Sequence, residues 1–494
     1  MSETAARTTE RADRTELPAD SIGLFETTSS TLANIAPALS VFLTIPAIVI
    51  AMGSQAPWAF ALAAVAILAT GNSLIEFTRR MPSAGGFISY ITRAAQGRGA
   101  QGRAAPGRGG GFLGAMTFYL LLFIYPISVG SVVVFIGSWT VGYTGWPTGT
   151  WIWITLAAMA VGVPVLLRGT GLSVRTAFVL FLTEAVALLI LSVIVLVRAH
   201  GAIAVPFHAI GGSPGGFAGL GGLTFGLAVF GYVGWENSAP LAEESRDPRR
   251  TIPRTVVLSI LVVMGVFFIS AYALVVGFAG WQGGAAGMKA IAGDTSSPYL
   301  TLASHYAPWL HLIMFLIGIT SSLGCFLAAA MPGSRYIFHG ARAGLLPRPL
   351  ARVSGRTGVP VPSIVVYVGL MTVATVLLDL IMRNPVTIAT DEAGISTVPV
   401  LIIYGATCVL LPLFIVRTDR ASFSWLRHAL FPLTGVAVMG YGIWESVNPG
   451  QAPPANRYWI WVLAYLMVAA VGALTVLRRG GADQTALSQG LAED

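Results

Sequence analysis

Twelve stretches of this chain are apolar almost from end to end, and short polar segments separate them. They run Thr31–Met52, Pro57–Thr78, Phe112–Val141, Trp151–Leu167, Ala177–Val197, Phe217–Pro240, Val256–Gly280, Leu310–Met331, Pro360–Leu380, Thr397–Val416, Ala429–Val447 and Tyr458–Leu477. Most reach the roughly 20 residues that a helix needs to cross a hydrocarbon core of about 30 Å. The pattern predicts an all-α polytopic membrane protein of about twelve transmembrane helices. Two spans interrupt their own pattern. The first carries Asn34, Pro37, Ser40 and Pro46 inside TLANIAPALSVFLTIP (Thr31–Pro46), and the sixth carries FGYVGWENSAP (Phe230–Pro240).

Composition agrees with the pattern. Hydrophobic residues are 55% of the chain, charged residues 10%, and the mean hydropathy is +0.75. A soluble chain of this length would carry far more charge on its surface. The net charge of +8 invites a nucleic-acid partner, but its distribution excludes that reading. With the N-terminus inside, 25 of the 29 Lys and Arg residues fall on the cytoplasmic side, leaving Arg198, Lys289, Arg383 and Arg457 outside. That is the positive-inside bias, so the basicity reports topology in a cell membrane, with both termini cytoplasmic. The polar first 25 residues hold no apolar stretch, so no cleavable signal peptide is expected. Cys325 and Cys408 fall inside spans and read as small core residues rather than a disulfide or metal pair.

Residues 1–25 and 479–494 read as cytoplasmic tails. Gly97–Gly111 reads as a basic, Gly-rich linker, and Ala199–Gly216 and Trp281–Ala307 read as outer connections, the latter with a short helix. The first span runs outward and the sixth, five spans later, runs inward. Two interrupted helices at equivalent places of two oppositely directed halves point to a 5+5 inverted repeat over 26–200 and 201–427, followed by two C-terminal helices in 428–478.

Interrupting a helix inside a bilayer leaves backbone N–H and C=O groups in need of partners, which is tolerated only where they line a cavity or are buried in protein. Pro37 cannot donate to the carbonyl four residues back, and Gly231 and Gly234, ahead of Asn237 and Pro240, let the sixth span unwind. The half-helix starting near Ala38 would present free N–H groups to a carboxylate. The halves ending near Ile35 and near Phe230 to Tyr232 would present carbonyls to an ammonium group. Together they suit a zwitterion.

Four stretches resemble the amino acid–polyamine–organocation superfamily of permeases, which share the leucine-transporter fold. IEFTRRMPSAGGFISY (Ile75–Tyr90) is similar to its motif after the second span, and VFGYVGWENSAPLAEES (Val229–Ser245) to its sixth span. RDPRRTIPRTV (Arg246–Val256) is similar to the basic loop that follows, and SRYIFHGARAGLLPRPLARV (Ser334–Val353) to the signature after the eighth. The resemblance implies substrate contacts at Ile35, Ala36, Pro37, Ala38 and Leu39, and at Phe230, Gly231, Tyr232, Val233 and Gly234, with Phe230 as an aromatic lid. Ser40 and Asn237, polar residues beside the two breaks, are further substrate-binding candidates. Many relatives carry Gly-Ser-Gly where this chain has Ala36-Pro37-Ala38, and Pro37 removes one N–H donor.

Some proton-coupled relatives place a Lys in the fifth span, where this sequence has Glu184. Three readings of that position stand: a proton carrier, a neutral hydrogen-bonded acid, or a sodium site completed by Ser321 and Ser322. Glu236 is a second candidate for protonation, since an intramembrane carboxyl is costly while charged. Glu243 and Glu244 after the sixth span, with Arg335 and Arg342 after the eighth, are candidates for an inner gate or for ordinary solvated ends. No cofactor and no catalytic or metal cluster is expected, and no phosphate loop of a pump occurs. The expected function is a secondary permease for an amino acid, a neutral one first, working by alternating access with proton coupling or exchange. Cationic amino acids, polyamines or other amines come second, and a sensor or channel of the same fold is the reading from another class. A monomer and a homodimer both remain open.

Overall fold

The computed structural model describes residues 17–96, 108–199, 219–220, 223–293, 297–382, 384–450, 455–480 and 487. The first span is two helices, α1 (Leu24–Ile35) and α2 (Pro37–Met52), joined at Ala36, whose backbone is left-handed at φ 50° and ψ 66°. Pro37 is the first residue of α2, a position whose N–H has no helical partner anyway and whose φ proline presets. The second span is α3 (Ala56–Arg80), followed by the short α4 (Phe87–Ala95). Spans three to five are α5 (Arg108–Thr144), α6 (Trp151–Leu167) and α7 (Thr170–Arg198).

The sixth span starts as α8 (Leu223–Phe230), passes through eight residues of turns, and ends in a 3₁₀ helix at Ala239–Glu244. The seventh is α9 (Pro248–Gln282). Two short helices, α10 (Gly284–Gly293) and α11 (Pro298–Tyr306), occupy the connection for which one was expected. Then come α12 (His311–Arg342), α13 (Val361–Met382), α14 (Pro385–Thr418), α15 (Phe431–Val447) and α16 (Tyr458–Arg478).

Among the described residues, nine helical stretches are long and apolar enough to cross a membrane, and the first of them, Leu24–Arg80, holds spans one and two. The sixth expected span is missing from the nine because it unwinds. The eleventh is missing because a π-helical turn at Leu426–Leu430 precedes only 17 residues of α-helix. The tenth differs in its boundary. It was expected from Thr397, yet α14 begins at Pro385, a favoured helix start, and so carries Asp391 and Glu392 inside the fold.

Helix α12 sits at the centre, against α5, α7 and α1, while α9 packs on α3. Peripheral α13 and α16 leave most of their apolar surface outward, as a lipid-facing helix does. Ahead of α1, Ile22 pairs with the segment after the sixth span: its N–H donates to the Glu244 carbonyl at 3.1 Å, and its carbonyl accepts from Arg246 N–H at 2.8 Å. Residues 1–16, most of the Gly97–Gly111 linker and the Ala199–Gly216 connection beyond Ala199 lie outside the described residues. So does the C-terminal tail past Gly480, except Leu487, which is fully buried.

Candidate functional site

At the first break the left-handed turn of Ala36 exposes the start of α2, and the protein fills it with its own oxygens. Ala38 N–H donates to Glu184 Oε2 of α7 at 3.3 Å, and Leu39 N–H donates to Ser321 Oγ of α12 at 3.3 Å. Pro37 has no N–H, and Ser40 N–H already returns to the Ala36 carbonyl at 3.1 Å. The expectation that α2 leaves free N–H groups for a substrate is therefore corrected. Glu184 occupies the positive end of that half-helix, where a negative group is stabilised. On the carbonyl side, the Cys325 thiol donates to the Asn34 carbonyl at 3.0 Å, and Ser40 Oγ donates to the Ile35 carbonyl at 3.4 Å. Leu39 packs with Ala36, Phe135 and Cys325 beside them.

The second break is closed from within in a similar way. Gly234 has φ 109°, a conformation that side-chain-bearing residues avoid, and its N–H donates to Glu236 Oε2 at 3.0 Å. The other oxygen of Glu236 accepts a close hydrogen bond from the Tyr125 hydroxyl of α5. The two breaks abut. A Cβ on Gly234 would overlap the Asn34 side-chain amide and lie 3.2 Å from the Asn34 carbonyl carbon.

Around this junction several buried polar atoms have no hydrogen-bond partner among the described residues: Asn34 Oδ1, Trp235 Nε1 and both ends of the Asn237 amide. Such groups are rare in an interior, because each costs about 1–3 kcal/mol unless something binds it.

Not every expected residue faces the junction. Phe230 ends α8 half-buried, and Val233 is half-buried beside the core. Gly231 lies against the Phe267 ring, and Tyr232 donates its hydroxyl to the Phe60 carbonyl at 2.8 Å, so both side-chain positions look toward α3 and α9. Ser322 is placed apart from Ser321: its hydroxyl donates to its own helix at the Gly318 carbonyl, 3.1 Å away, and makes no contact with the break. Adjacent helical residues point about 100° apart, so only Ser321 of that pair reaches the break. Cys325, read as a plain core residue, joins the site instead. Its position four residues after Ser321 put it on the same helical face, which was the available signal.

The four gating candidates form two ion pairs. Arg335 and Glu244 are bidentate, Nε to Oε1 at 2.8 Å and Nη2 to Oε2 at 3.1 Å, with both side chains 0% exposed. Arg342 binds Glu243 through 3.0 Å and 2.8 Å contacts, and Glu243 also accepts from Ala84 N–H at 3.0 Å. Burial pushes the Glu243 carboxyl up, but the Arg342 hydrogen bonds and charge, with the Ala84 N–H, outweigh it and hold it below its ordinary value.

The amino acid permease family model matches residues 27–447, most of the chain. The chain belongs to the amino acid permease family. The match takes in both breaks, Glu184, Ser321 and the two ion pairs, and ends at the last residue of α15. Among relatives of the family, cationic amino acid transporter 4 of Mus musculus is 24% identical over 322 residues, 59% of this chain and 47% of that protein. The branched-chain amino acid permease BcaP of Lactococcus lactis is 22% identical over 205 residues, covering 41% and 42% of the two chains. The mitochondrial cationic amino acid transporter 3 of Arabidopsis thaliana is 27% identical over 146 residues, 29% of this chain and 22% of that one. Each alignment spans less than half of the relative's length.

Proposed function

We propose that the protein is a secondary permease that moves a neutral amino acid across the cytoplasmic membrane by alternating access. The observation that carries this reading is the junction of the two breaks at Asn34 and Gly234, where the unpartnered groups of Asn34, Trp235 and Asn237 supply both donors and acceptors. A zwitterion needs both. The preference for a neutral side chain rests on Glu184 and Glu236, whose carboxyls already hold N–H groups of the breaks and are not free to pair with a cationic side chain. The relatives named as cationic amino acid transporters make such substrates the competing class.

Coupling to protons is assigned to Glu184, and the fully buried pair of Glu244 with Arg335 and the partly buried pair of Glu243 with Arg342 form the inner gate. Opening toward the cytoplasm then requires both pairs to part. Proteoliposomes assayed for uptake and exchange of the common amino acids and their decarboxylated amines test the reading, with and without an inward proton gradient. Accumulation of neutral amino acids that follows the gradient, lost in Glu184→Gln while exchange persists, is the expected result. If only amines move the substrate class is wrong, and unchanged pH dependence in the variant removes Glu184 from coupling.

A further inference from the structure

Away from the breaks, α14 buries a carboxyl that nothing in the fold explains. Glu392 is 3% exposed, and neither of its oxygens has a hydrogen-bond partner among the described residues. Across from it on α13, Thr375 is 0% exposed and its hydroxyl is likewise without a partner. Both oxygens converge on Gly130 of α5. A Cβ built there would lie 3.5 Å from Thr375 Oγ1 and 3.6 Å from Glu392 Oε1, so the two oxygens look into the notch that the missing side chain leaves. Met371 of α13 closes one wall, with its Cγ 3.5 Å from the same point. Neighbouring Asp391 is engaged separately, accepting from the Tyr458 hydroxyl of α16 at 3.0 Å.

An ionised carboxylate stranded at this depth costs several kcal/mol, and a lone hydroxyl cannot compensate it. A small cation would. The donors are all oxygen, the preference of hard cations. They bring one formal negative charge, which a monovalent ion neutralises and a divalent ion would overshoot.

We propose that the Gly130 notch between α5, α13 and α14 is a binding site for a monovalent alkali cation, with Glu392 supplying the charge and Thr375 a second oxygen. The site is separate from the Glu184 position. It lies five residues along α5 from Tyr125, about 7.5 Å at helical rise, so the same helix touches both the cation site and Glu236.

Sodium chloride is the probe. The melting temperature of the purified full-length protein is followed while sodium replaces choline at constant ionic strength and constant pH. A saturable rise of several degrees is expected in the wild type. Glu392→Gln, which keeps the shape and removes the charge, abolishes it; Gly130→Ala, which fills the notch, and Thr375→Val weaken it at least tenfold in half-saturating sodium. The assay needs no transported substrate, so it stands or falls separately from the permease reading. Three outcomes overturn the proposal: no sodium dependence in the wild type, a sodium response that survives in Glu392→Gln, or a stabilisation at Glu392 that follows pH and ignores sodium. Should Glu392→Gln fail to fold, Gly130→Ala and Thr375→Val decide alone, and an unaltered sodium response in both overturns the site.

Discussion

The Arg335–Glu244 pair allows the sharpest quantitative test. Two unit charges 2.8 Å apart attract by about 6 kcal/mol at an effective dielectric of about 20. Removing each ion from water costs several kcal/mol, so the net contribution of the intact pair is small. Losing one partner is another matter. In Glu244→Leu the guanidinium stays fully buried, and its contacts to the Met331 carbonyl at 3.2 Å and Ser334 Oγ at 3.1 Å carry no opposing charge. The expected cost is about 3–5 kcal/mol, and Arg335→Met should cost a similar amount by leaving the Glu244 carboxylate buried without its bidentate guanidinium. The double variant removes both charges and should recover to within about 1 kcal/mol of the wild type, or exceed it. Denaturation midpoints of the four proteins in one detergent, assembled as a double-mutant cycle, give the coupling directly. Single variants that cost under 1 kcal/mol, as an exposed pair would, refute the reasoning. A double variant as unstable as the two singles combined refutes it as well.

Three further outcomes follow from the same geometry. Gly234→Ala adds a Cβ against Asn34 at φ 109° and should cost at least about 1–3 kcal/mol and abolish substrate binding in a thermal-shift assay. Gly226→Ala, with none of the described residues within 4 Å of the new methyl group, serves as the tolerated control. Because the folded state lowers the Glu243 carboxyl, its stabilising share is full above the ordinary carboxylate value near 4.5 and fades as pH falls through the lower folded value. Acid titration of unfolding should therefore lose that component in Glu243→Gln, and an unchanged profile would count against the pair. Pro37→Ala should cost about 0.4–1 kcal/mol through the unfolded chain alone, since α2 starts with a proline-compatible φ. A larger loss in its denaturation midpoint would mean the ring does more than preset the helix start.

Much of this fold is visible in the sequence because the bilayer enforces it. Apolar runs of spanning length and the Lys/Arg asymmetry need no tertiary knowledge. Pro37 and the Gly231–Gly234 stretch marked the unwound places, since irregular backbone at that depth must line something. The occupants of those places were less legible. That Ala38 N–H goes to Glu184 depends on α7 crossing α2 at one height, a matter of packing that no local pattern encodes. Ser321 and Ser322 looked equivalent as neighbours in sequence, and only the rotation of α12 separates them. Asp391 and Glu392 fell outside the tenth expected span, which was started at Thr397, whereas the helix itself begins at Pro385.

These differences share one physical cause. A sequence displays which groups a membrane helix will find hard to bury, while the partner that relieves each group comes from another helix. Asn34, Glu184 and Glu236 all drew that cost in isolation, and Glu392 joined them once α14 proved to begin at Pro385. The fold then sorted them. Glu184 and Glu236 each closed a backbone break, Asn34 was left with an unpartnered side-chain oxygen at the junction of the breaks, and Glu392 was left with no hydrogen-bond partner among the described residues. A carboxylate that caps a half-helix can give up that role only when protonated or displaced, so its state is tied to the geometry of the break. A carboxylate facing an empty notch carries no such tie, and its state is set by whichever ion reaches it. Proton sensitivity is therefore expected to localise to the breaks, and alkali-ion sensitivity to the Gly130 notch. Measuring both dependences in Glu184→Gln and Glu392→Gln should move one without the other, and a single variant that removed both would show that the two carboxyls belong to one coupled site.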